Sequence, residues 1–329
     1  MNGKIAIIGA TGNVGRKIVE LFLQRESINP DDLLLFASAK SAGKTVQFGK
    51  YKYQISDTSA CNFNECALVL FATDSDISRQ YAPTALKAGC RVIDSSSAYR
   101  LDPNVPLIVS PVNAGLIQAN IFLYAVANCL ASPISVVLKP LHDKWTATRV
   151  IASTYQSTSG AGKEPMDELF DQTQRRLKGE EVKSQHFPRQ IAFNIIPQVD
   201  KILDDGFSYE EFKIMREIQK IISSEIKVMA TAVRVPVGIG HSVSLSIEFK
   251  QKINLEEAYR TLASGPGIAI SPHHYSTPAE VEGQDQVFVG RIRKDPSVEN
   301  GLSLWIVSDN LRRGAALDAV EVAEKVLAL

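Results

Sequence analysis

Short apolar runs alternate with amphipathic stretches through roughly the first third of the chain. The run at residues 4–8, KIAII, leads into Gly9-Ala10-Thr11-Gly12-Asn13-Val14-Gly15, after which Val14, Ile18, Leu21 and Phe22 recur at helical spacing. A strand, a glycine turn and a helix are therefore predicted in succession. Further strands are predicted over residues 32–36, 67–72, 91–94 and 107–110, with a helix near 77–87. This alternation implies a mostly parallel sheet with helices on both faces.

The pattern changes beyond residue 148. RVIASTYQ reads as a strand, and Ser159-Gly160-Ala161-Gly162 then opens an amphipathic helix running to about Leu177. In HSVSLSIEFK, Val243, Leu245, Ile247 and Phe249 alternate with Ser242, Ser244, Ser246 and Glu248. A period of two marks a strand with one buried and one polar face, as antiparallel sheets prefer. Strands over 227–237, 287–292 and 302–307 could pair with it, giving a mixed α+β second domain. The segment 311–329 is helical by pattern, with Ala315, Ala319, Val322 and Val326 on one stripe.

Composition narrows the function classes. At 329 residues the chain favours about two domains. Its 36 basic and 36 acidic residues cancel, which leaves no footprint for nucleic acid or an anionic membrane and favours a small-molecule partner. No apolar run is long enough to span a bilayer, and MNGKIAIIGA lacks a signal-peptide layout, so a cytoplasmic protein is expected. Cys61, Cys66, Cys90 and Cys129 have unrelated spacings, which suggests reduced thiols. No second cysteine pair or histidine cluster completes a metal site.

The glycine turn carries the first chemistry. Gly9 would permit the tight turn, Gly12 would let the backbone approach a pyrophosphate, and Gly15 would allow close helix packing, with the helix N-terminus facing the phosphates. After the second strand, an NAD-binding loop would normally place an acid for the ribose hydroxyls. Here Ser38, Lys40 and Ser41 occupy that turn, and hydroxyls with a cation suit the 2′-phosphate of NADP. A merely solvated turn with an incidental lysine is the alternative.

Cys129 differs from the other cysteines in its setting. It follows Asn128 at the end of the strand-like FLYAVAN and precedes ASPISVVL, where Pro133 fits a helix's first turn. A thiolate is favoured at a helix N-terminus. His241 follows Gly238-Ile239-Gly240 and could take the thiol's proton and later serve the attacking group, or be a structural histidine. Arg234 is a charge inside an apolar strand and so requires an anionic partner, either a protein acid or a substrate carboxylate. Arg100 lies among hydroxyls in Ser95-Ser96-Ser97-Ala98-Tyr99-Arg100, a possible phosphate corner or a solvated turn. Thiol, imidazole and nicotinamide loop together suggest oxidation of an aldehyde through a thioester.

With these positions assembled, the chain resembles the aspartate-semialdehyde dehydrogenase family over nearly its whole length. The stretches that carry the likeness are GATGNVG, ASAKSAGK, IDSSSAYRLDP, the Asn-Cys pair, LKPLHD, STYQSTSGAG, EEFK, RVPVGIGH, VFVGRIRKD and SDNLRRGAA. The resemblance implies an α/β protein: a Rossmann-type dinucleotide-binding domain over 1–128, an α+β catalytic and dimerisation domain over 129–310, and a C-terminal helix over 311–329 returning to the first. It implies reversible NADP-dependent conversion of L-aspartate 4-semialdehyde and phosphate to L-4-aspartyl phosphate, in the pathway to lysine, threonine, methionine and diaminopimelate, by a homodimer.

Carried over by position, the resemblance makes Cys129 the nucleophile, His241 the acid/base, and Gln156 the group that orients the intermediate. Arg234 would grip the substrate α-carboxylate and Glu210 its ammonium, Lys213 and Arg100 would hold phosphate, and Asn128 would lie beside the substrate. Gly9, Thr11, Gly12, Asn13, Val14, Gly15, Ser38, Lys40, Ser41, Ser159, Gly160, Gly162 and Asn310 would contact the cofactor. The chain departs from the family pattern at Ala125-Val126-Ala127 before the Asn-Cys pair, at Leu130-Ala131 after it, at Asp74-Ser75 in place of a glycine pair, and at Ser110-Pro111. Two rival readings are an N-acetyl-glutamyl-phosphate reductase, whose uncharged acylamino group would leave Glu210 without an ammonium, and a catalytically silent dinucleotide-binding paralogue.

Overall fold

In the first unit, β1 (Lys4–Ile8), α1 (Asn13–Arg25), β2 (Leu33–Ala37), β3 (Thr45–Phe48), β4 (Tyr51–Asp57), β5 (Cys66–Phe71), α2 (Ser75–Lys87), β6 (Arg91–Asp94), β7 (Leu107–Ile108), α3 (Ser110–Asn113) and β8 (Leu123–Val126) follow in order. The computed structural model describes residues 3–329; the first unit holds the chain to Asn128 plus Gly314–Leu329, and the second holds Cys129–Arg313. The eight strands lie in the order β3-β4-β2-β1-β5-β6-β8-β7, parallel except for the β3–β4 hairpin.

The continuous apolar strands follow from burial on both faces. Ile5 and Ile7 point into one core with Ile18 and Phe22, whereas Ala6 and Ile8 point into another with Ala82 and Ala85. Asp74, one of the unexpected residues, caps α2 by accepting from the backbone N–H groups of Asp76 and Ile77 at 3.1 and 3.0 Å.

The second unit contains α4 (Ala131–Trp145), β9 (Ala147–Gln156), α5 (Lys163–Leu177), α6 (Tyr209–Ile221), β10 (Lys227–Arg234), β11 (His241–Phe249), α7 (Leu255–Ala263), β12 (Ile268–Ile270), α8 (Pro278–Val281), β13 (Val287–Asp295) and β14 (Gly301–Ser308). Its sheet runs β10-β9-β11-β14-β13-β12 and is mixed, with β10–β9 and β12–β13 parallel and the other pairs antiparallel. Helices α4, α6 and α7 pack on one face of it. Val243, Leu245 and Ile247 are buried there, while Ser244 and Ser246 stand on the other face, half-buried.

The chain then re-enters the first unit. A π turn over Arg312–Ala316, with Gly314 at φ 99°, precedes α9 (Leu317–Leu327). The helix therefore starts later than residue 311. Its Leu317, Val320 and Ala323 share the core with α1, and Arg25 grips Glu324 through two hydrogen bonds of 2.8 and 2.9 Å. The strand expected over 227–237 also stops early, at Arg234, because Pro236 has no N–H to extend a ladder. No described helix is long and apolar enough to cross a membrane.

Candidate active site

Several of the predicted residues lie in the first unit. At the end of β1, Gly9 adopts φ 89°, and a Cβ there would sit 2.3 Å from the Ala72 carbonyl oxygen. A Cβ on Gly15 would lie 2.2 Å from the Gly9 carbonyl oxygen, so α1 can approach the turn only with glycine at that position. Gly12 is different: its nearest neighbour would be 3.5 Å away, and it borders open space.

No side chain caps α1 and its first turn carries no acid, so its positive end is not neutralised from within. The Asn13 amide nitrogen is buried without a hydrogen-bond partner among the described residues. An uncapped helix start beside an orphaned donor fits the phosphates of a dinucleotide. Ser38 and Lys40 are exposed and Ser41 half-buried, in a turn closed by Ser41 N–H donating to the Ser38 carbonyl at 2.8 Å.

Past β6, buried Asp94 organises the serine turn. It accepts from Ser78 Oγ at 2.7 Å and Ser96 Oγ at 2.8 Å, while burial holds its carboxyl above the usual carboxylate range. Arg100 is buried and donates to the Ser95 carbonyl at 2.7 Å. Asn128, also buried, lies two residues beyond β8.

The second unit gathers the remaining candidates at one end of its sheet. Gln156 ends β9, Arg234 ends β10 as its cross-strand partner, and His241 begins β11 on the other side of β9. All three side chains are at least nine-tenths buried. Alternation explains why: Gln156 shares the inward face with Ala152 and Thr154, Arg234 with Ala230 and Ala232, and His241 with Val243 and Leu245. Pairing and pleat thus place an amide, a guanidinium and an imidazole side by side.

Helix α6 supplies the acid. Ser208 and Glu211 form a capping box, and Glu211 also accepts from Ala232 N–H at 2.8 Å, which fastens the helix start to β10. Glu210 accepts from Gln156 Nε2 at 3.1 Å and pairs with Lys213 Nζ at 2.8 Å. Lys213 also reaches Asp200 at 3.2 Å, so its ammonium is shared between two carboxylates. The Arg234 guanidinium donates to the Ser157 carbonyl at 2.5 Å. Burial pulls Arg234 below its usual range, while the charges of Glu210 and Cys129 act the other way.

Cys129 is half-buried, just before the N-cap of α4, where Leu130 has no side-chain donor or acceptor and Pro133 sits in the first turn. His241 Nδ1 accepts from Ser157 N–H at 3.0 Å, with Ser157 Oγ also at 3.0 Å. Burial, then the Arg234 charge, pushes this imidazole down to about 3, against the pull of Glu210. Gly160 lies against the ring: a Cβ there would be 3.0 Å from His241 Nε2 and 3.5 Å from Arg234 Nη1. Asn310 Oδ1 accepts from Gly240 N–H at 2.8 Å, Ser157 Oγ at 3.0 Å and Ser159 Oγ at 3.2 Å. Gly162, at φ 117°, joins this turn to α5.

Sequence reasoning singled out neither Ser157 nor Glu211. Glu211 had a signal, since Ser208-Tyr209-Glu210-Glu211 has capping-box spacing before an apolar stripe. Ser157 had none, because its principal contact is made by a backbone N–H.

Two family models match the chain: "Semialdehyde dehydrogenase, NAD binding domain" over residues 4–120 and "Semialdehyde dehydrogenase, dimerisation domain" over 138–313. The chain is 43% identical to the aspartate-semialdehyde dehydrogenase of Rickettsia bellii, over 98% of this chain and 97% of that one. The chain belongs to the aspartate-semialdehyde dehydrogenase family. A relative from Aquifex aeolicus is 42% identical over 98% of both chains. Among solved structures, aspartate semialdehyde dehydrogenase II from Vibrio cholerae superposes with a TM-score of 0.96 at 38% identity, covering 100% of this chain and 99% of that one. The same enzyme has been solved in complex with ASA. Membership makes the chain an oxidoreductase of amino-acid biosynthesis, with an NAD(P)-binding domain and a dimerisation domain.

Proposed function

We propose that this chain catalyses the reversible, NADP-dependent interconversion of L-aspartate 4-semialdehyde plus phosphate with L-4-aspartyl phosphate, through a thioester on Cys129. The observation that carries the reading is the grouping of Gln156, Arg234 and His241 on adjacent strand ends, beside Glu210 and within the electrostatic reach of Cys129. A site for an amino acid needs both an anion grip and a cation grip. Buried Arg234 offers the first for the α-carboxylate, and buried Glu210 the second for the ammonium. An N-acetylated substrate would offer Glu210 no ammonium, leaving only Lys213 to meet its charge.

Cys129 holds the substrate carbon as a thioester, which is activated enough for phosphate to displace it, so the energy of oxidation is conserved. Gln156 orients the carbonyl, and His241 serves as the acid/base. Lys213 and Arg100 receive the phosphate, and Asn128 borders the substrate. When bound, the nicotinamide supplies the hydride chemistry. The residues that would hold the cofactor are Gly9, Thr11, Gly12, Asn13, Val14 and Gly15 for the pyrophosphate, Ser38, Lys40 and Ser41 for the 2′-phosphate, and Ser159, Gly160, Gly162 and Asn310 nearer the reactive end. The Vibrio cholerae relative solved with ASA and the chain's likeness to other aspartate-semialdehyde dehydrogenases support the substrate class. A cytoplasmic homodimer completes the reading.

The test is phosphate-dependent NADPH formation with L-aspartate 4-semialdehyde and, separately, with N-acetyl-glutamate 5-semialdehyde. The native chain is expected to turn over the first, and Cys129→Ala neither. Preference for the acetylated aldehyde, or undiminished turnover in Cys129→Ala, would overturn the proposal.

A further inference from the structure

Lys213, one turn into α6, is held by more than Glu210. Its Nζ lies 2.8 Å from Glu210 Oε2, 3.2 Å from Asp200 Oδ2 and 5.1 Å from the centroid of the Tyr209 ring. Asp200 is the more exposed partner of its pair with the lysine. Ion pairs with an exposed member add little to stability, so stability is a poor account of this carboxylate.

A short hairpin sets the contact. Beyond Asp200 the chain pairs Ile202 with Ser208, donates from Leu203 N–H to the Phe207 carbonyl at 2.7 Å and from Tyr209 N–H to the Lys201 carbonyl at 2.8 Å, and so turns back into α6. Asp200 itself adopts φ 69°, a left-handed conformation that Asp and Asn tolerate better than most side chains. Its two carboxylate oxygens are divided. Oδ1 accepts from Lys201 N–H at 2.8 Å and holds the turn, whereas Oδ2 faces Lys213.

In the function proposed above, the substrate ammonium meets Glu210 and the substrate carboxylate meets Arg234. Those two pairs cancel in charge. The Lys213 ammonium then remains opposite the Asp200 carboxylate, and that pair also sums to zero. We propose that Asp200 is a positioning residue that competes with phosphate for the Lys213 ammonium, and so keeps the grip on phosphate weak enough for the ion to leave. The inference rests on the phosphate role of Lys213. In the reductive direction Cys129 sulfur bonds to the acyl carbon, the C–O bond breaks, and its electron pair departs on phosphate. An ammonium without a counter-ion would retain that anion, whereas one already facing a carboxylate releases it.

Asp200→Asn is the discriminating change. Asparagine keeps the left-handed backbone and an oxygen for Lys201 N–H, and removes only the charge and the oxygen that faces Lys213. In the full-length chain, with NADP and L-aspartate 4-semialdehyde saturating, KM for phosphate is expected to fall roughly threefold to tenfold, as for one partly screened charge removed. KM for the aldehyde and for NADP should hold at native values. Sulfate, a dianion of the same shape, should inhibit more strongly by the same factor, and phosphate should become a tighter product inhibitor of NADPH oxidation by L-4-aspartyl phosphate. A side chain that served the fold alone would not lower KM for one substrate.

Lys213→Ala is the companion variant, expected to raise KM for phosphate by about tenfold or more. Added to it, Asp200→Asn should gain nothing, because its effect passes through the ammonium. If Lys213→Ala raises KM for phosphate while Asp200→Asn alone leaves it unchanged or raises it, the competition is refuted and the phosphate role of Lys213 stands. A fall in the double variant as large as in Asp200→Asn alone would likewise overturn the proposal. If Lys213→Ala leaves KM for phosphate unmoved, the phosphate role itself fails, and the inference falls with it.

Discussion

Arg234 is the residue whose burial most constrains the chemistry. A guanidinium 6% exposed at a strand end needs anionic company, and within the second unit that company is the Ser157 carbonyl, the field of Glu210 and the field of Cys129. In the proposed function a substrate carboxylate would complete its coordination. Arg234→Leu is therefore expected to raise KM far more than it lowers kcat, by about 2 to 5 kcal/mol of lost binding. Steady-state kinetics check this, and unchanged constants would remove the carboxylate role.

His241 adds a prediction about stability. Its pKa falls from 6.5 when unfolded to about 3 when folded, so below pH 6.5 the unfolded chain binds a proton that the folded chain refuses. Stability from this group is fully present above that value and is lost as pH drops toward 3, at a slope of up to about 1.4 kcal/mol per pH unit. Urea unfolding of His241→Gln should show a shallower acid loss than the native chain. Equal acid sensitivity of the two would contradict the buried neutral ring.

At the scale of elements, glycine spacing controls how a helix start meets a strand end. Gly15→Ala would drive a methyl into the Gly9 carbonyl, and forcing α1 outward should cost about 1 to 3 kcal/mol and weaken dinucleotide binding. Unaltered melting and binding would show that the turn has slack. In the next turn, Lys40→Asp is expected to weaken NADP relative to NAD, read by fluorescence titration. Equal binding of both by the native chain would defeat the 2′-phosphate assignment.

The legibility of these elements follows their physics. Strand β11 could be read because Val243, Leu245 and Ile247 alternate with serines, and β1 with its glycine turn because steric demand at Gly9 and Gly15 leaves few substitutes. Helix α6 was not read as a helix, although its capping box was present, because EEFK drew attention to its charges instead of to Ile214 and Ile218 on its buried stripe. The contact of Ser157 N–H with His241 was invisible for a deeper reason. Every residue but proline carries an N–H, so no residue type marks the one that matters.

At the scale of the molecule, the six-stranded sheet has one face covered by helices, while the other carries exposed side chains. On that second face Tyr155 is 40% and Met229 43% exposed, and Tyr155 packs on Trp305 with ring centroids 5.5 Å apart, beside a hollow of about 450 Å³ that Tyr275 and Arg293 also line. An exposed aromatic sheet face in a dimerisation domain is the natural seat for a second copy. Sedimentation velocity should give a dimer for the native chain and a monomer for the double variant Tyr155→Arg, Met229→Glu. A dimer in both would place the interface elsewhere.

The central claim concerns one sulfur, and it can be tested with no cofactor present. Incubated with L-4-aspartyl phosphate alone, the protein should gain a single aspartyl group, and peptide mass spectrometry should find it on Cys129, with none gained by Cys129→Ala. An adduct on Cys61, Cys66 or Cys90, or no adduct at all while the same preparation turns over with NADPH, would contradict the thioester.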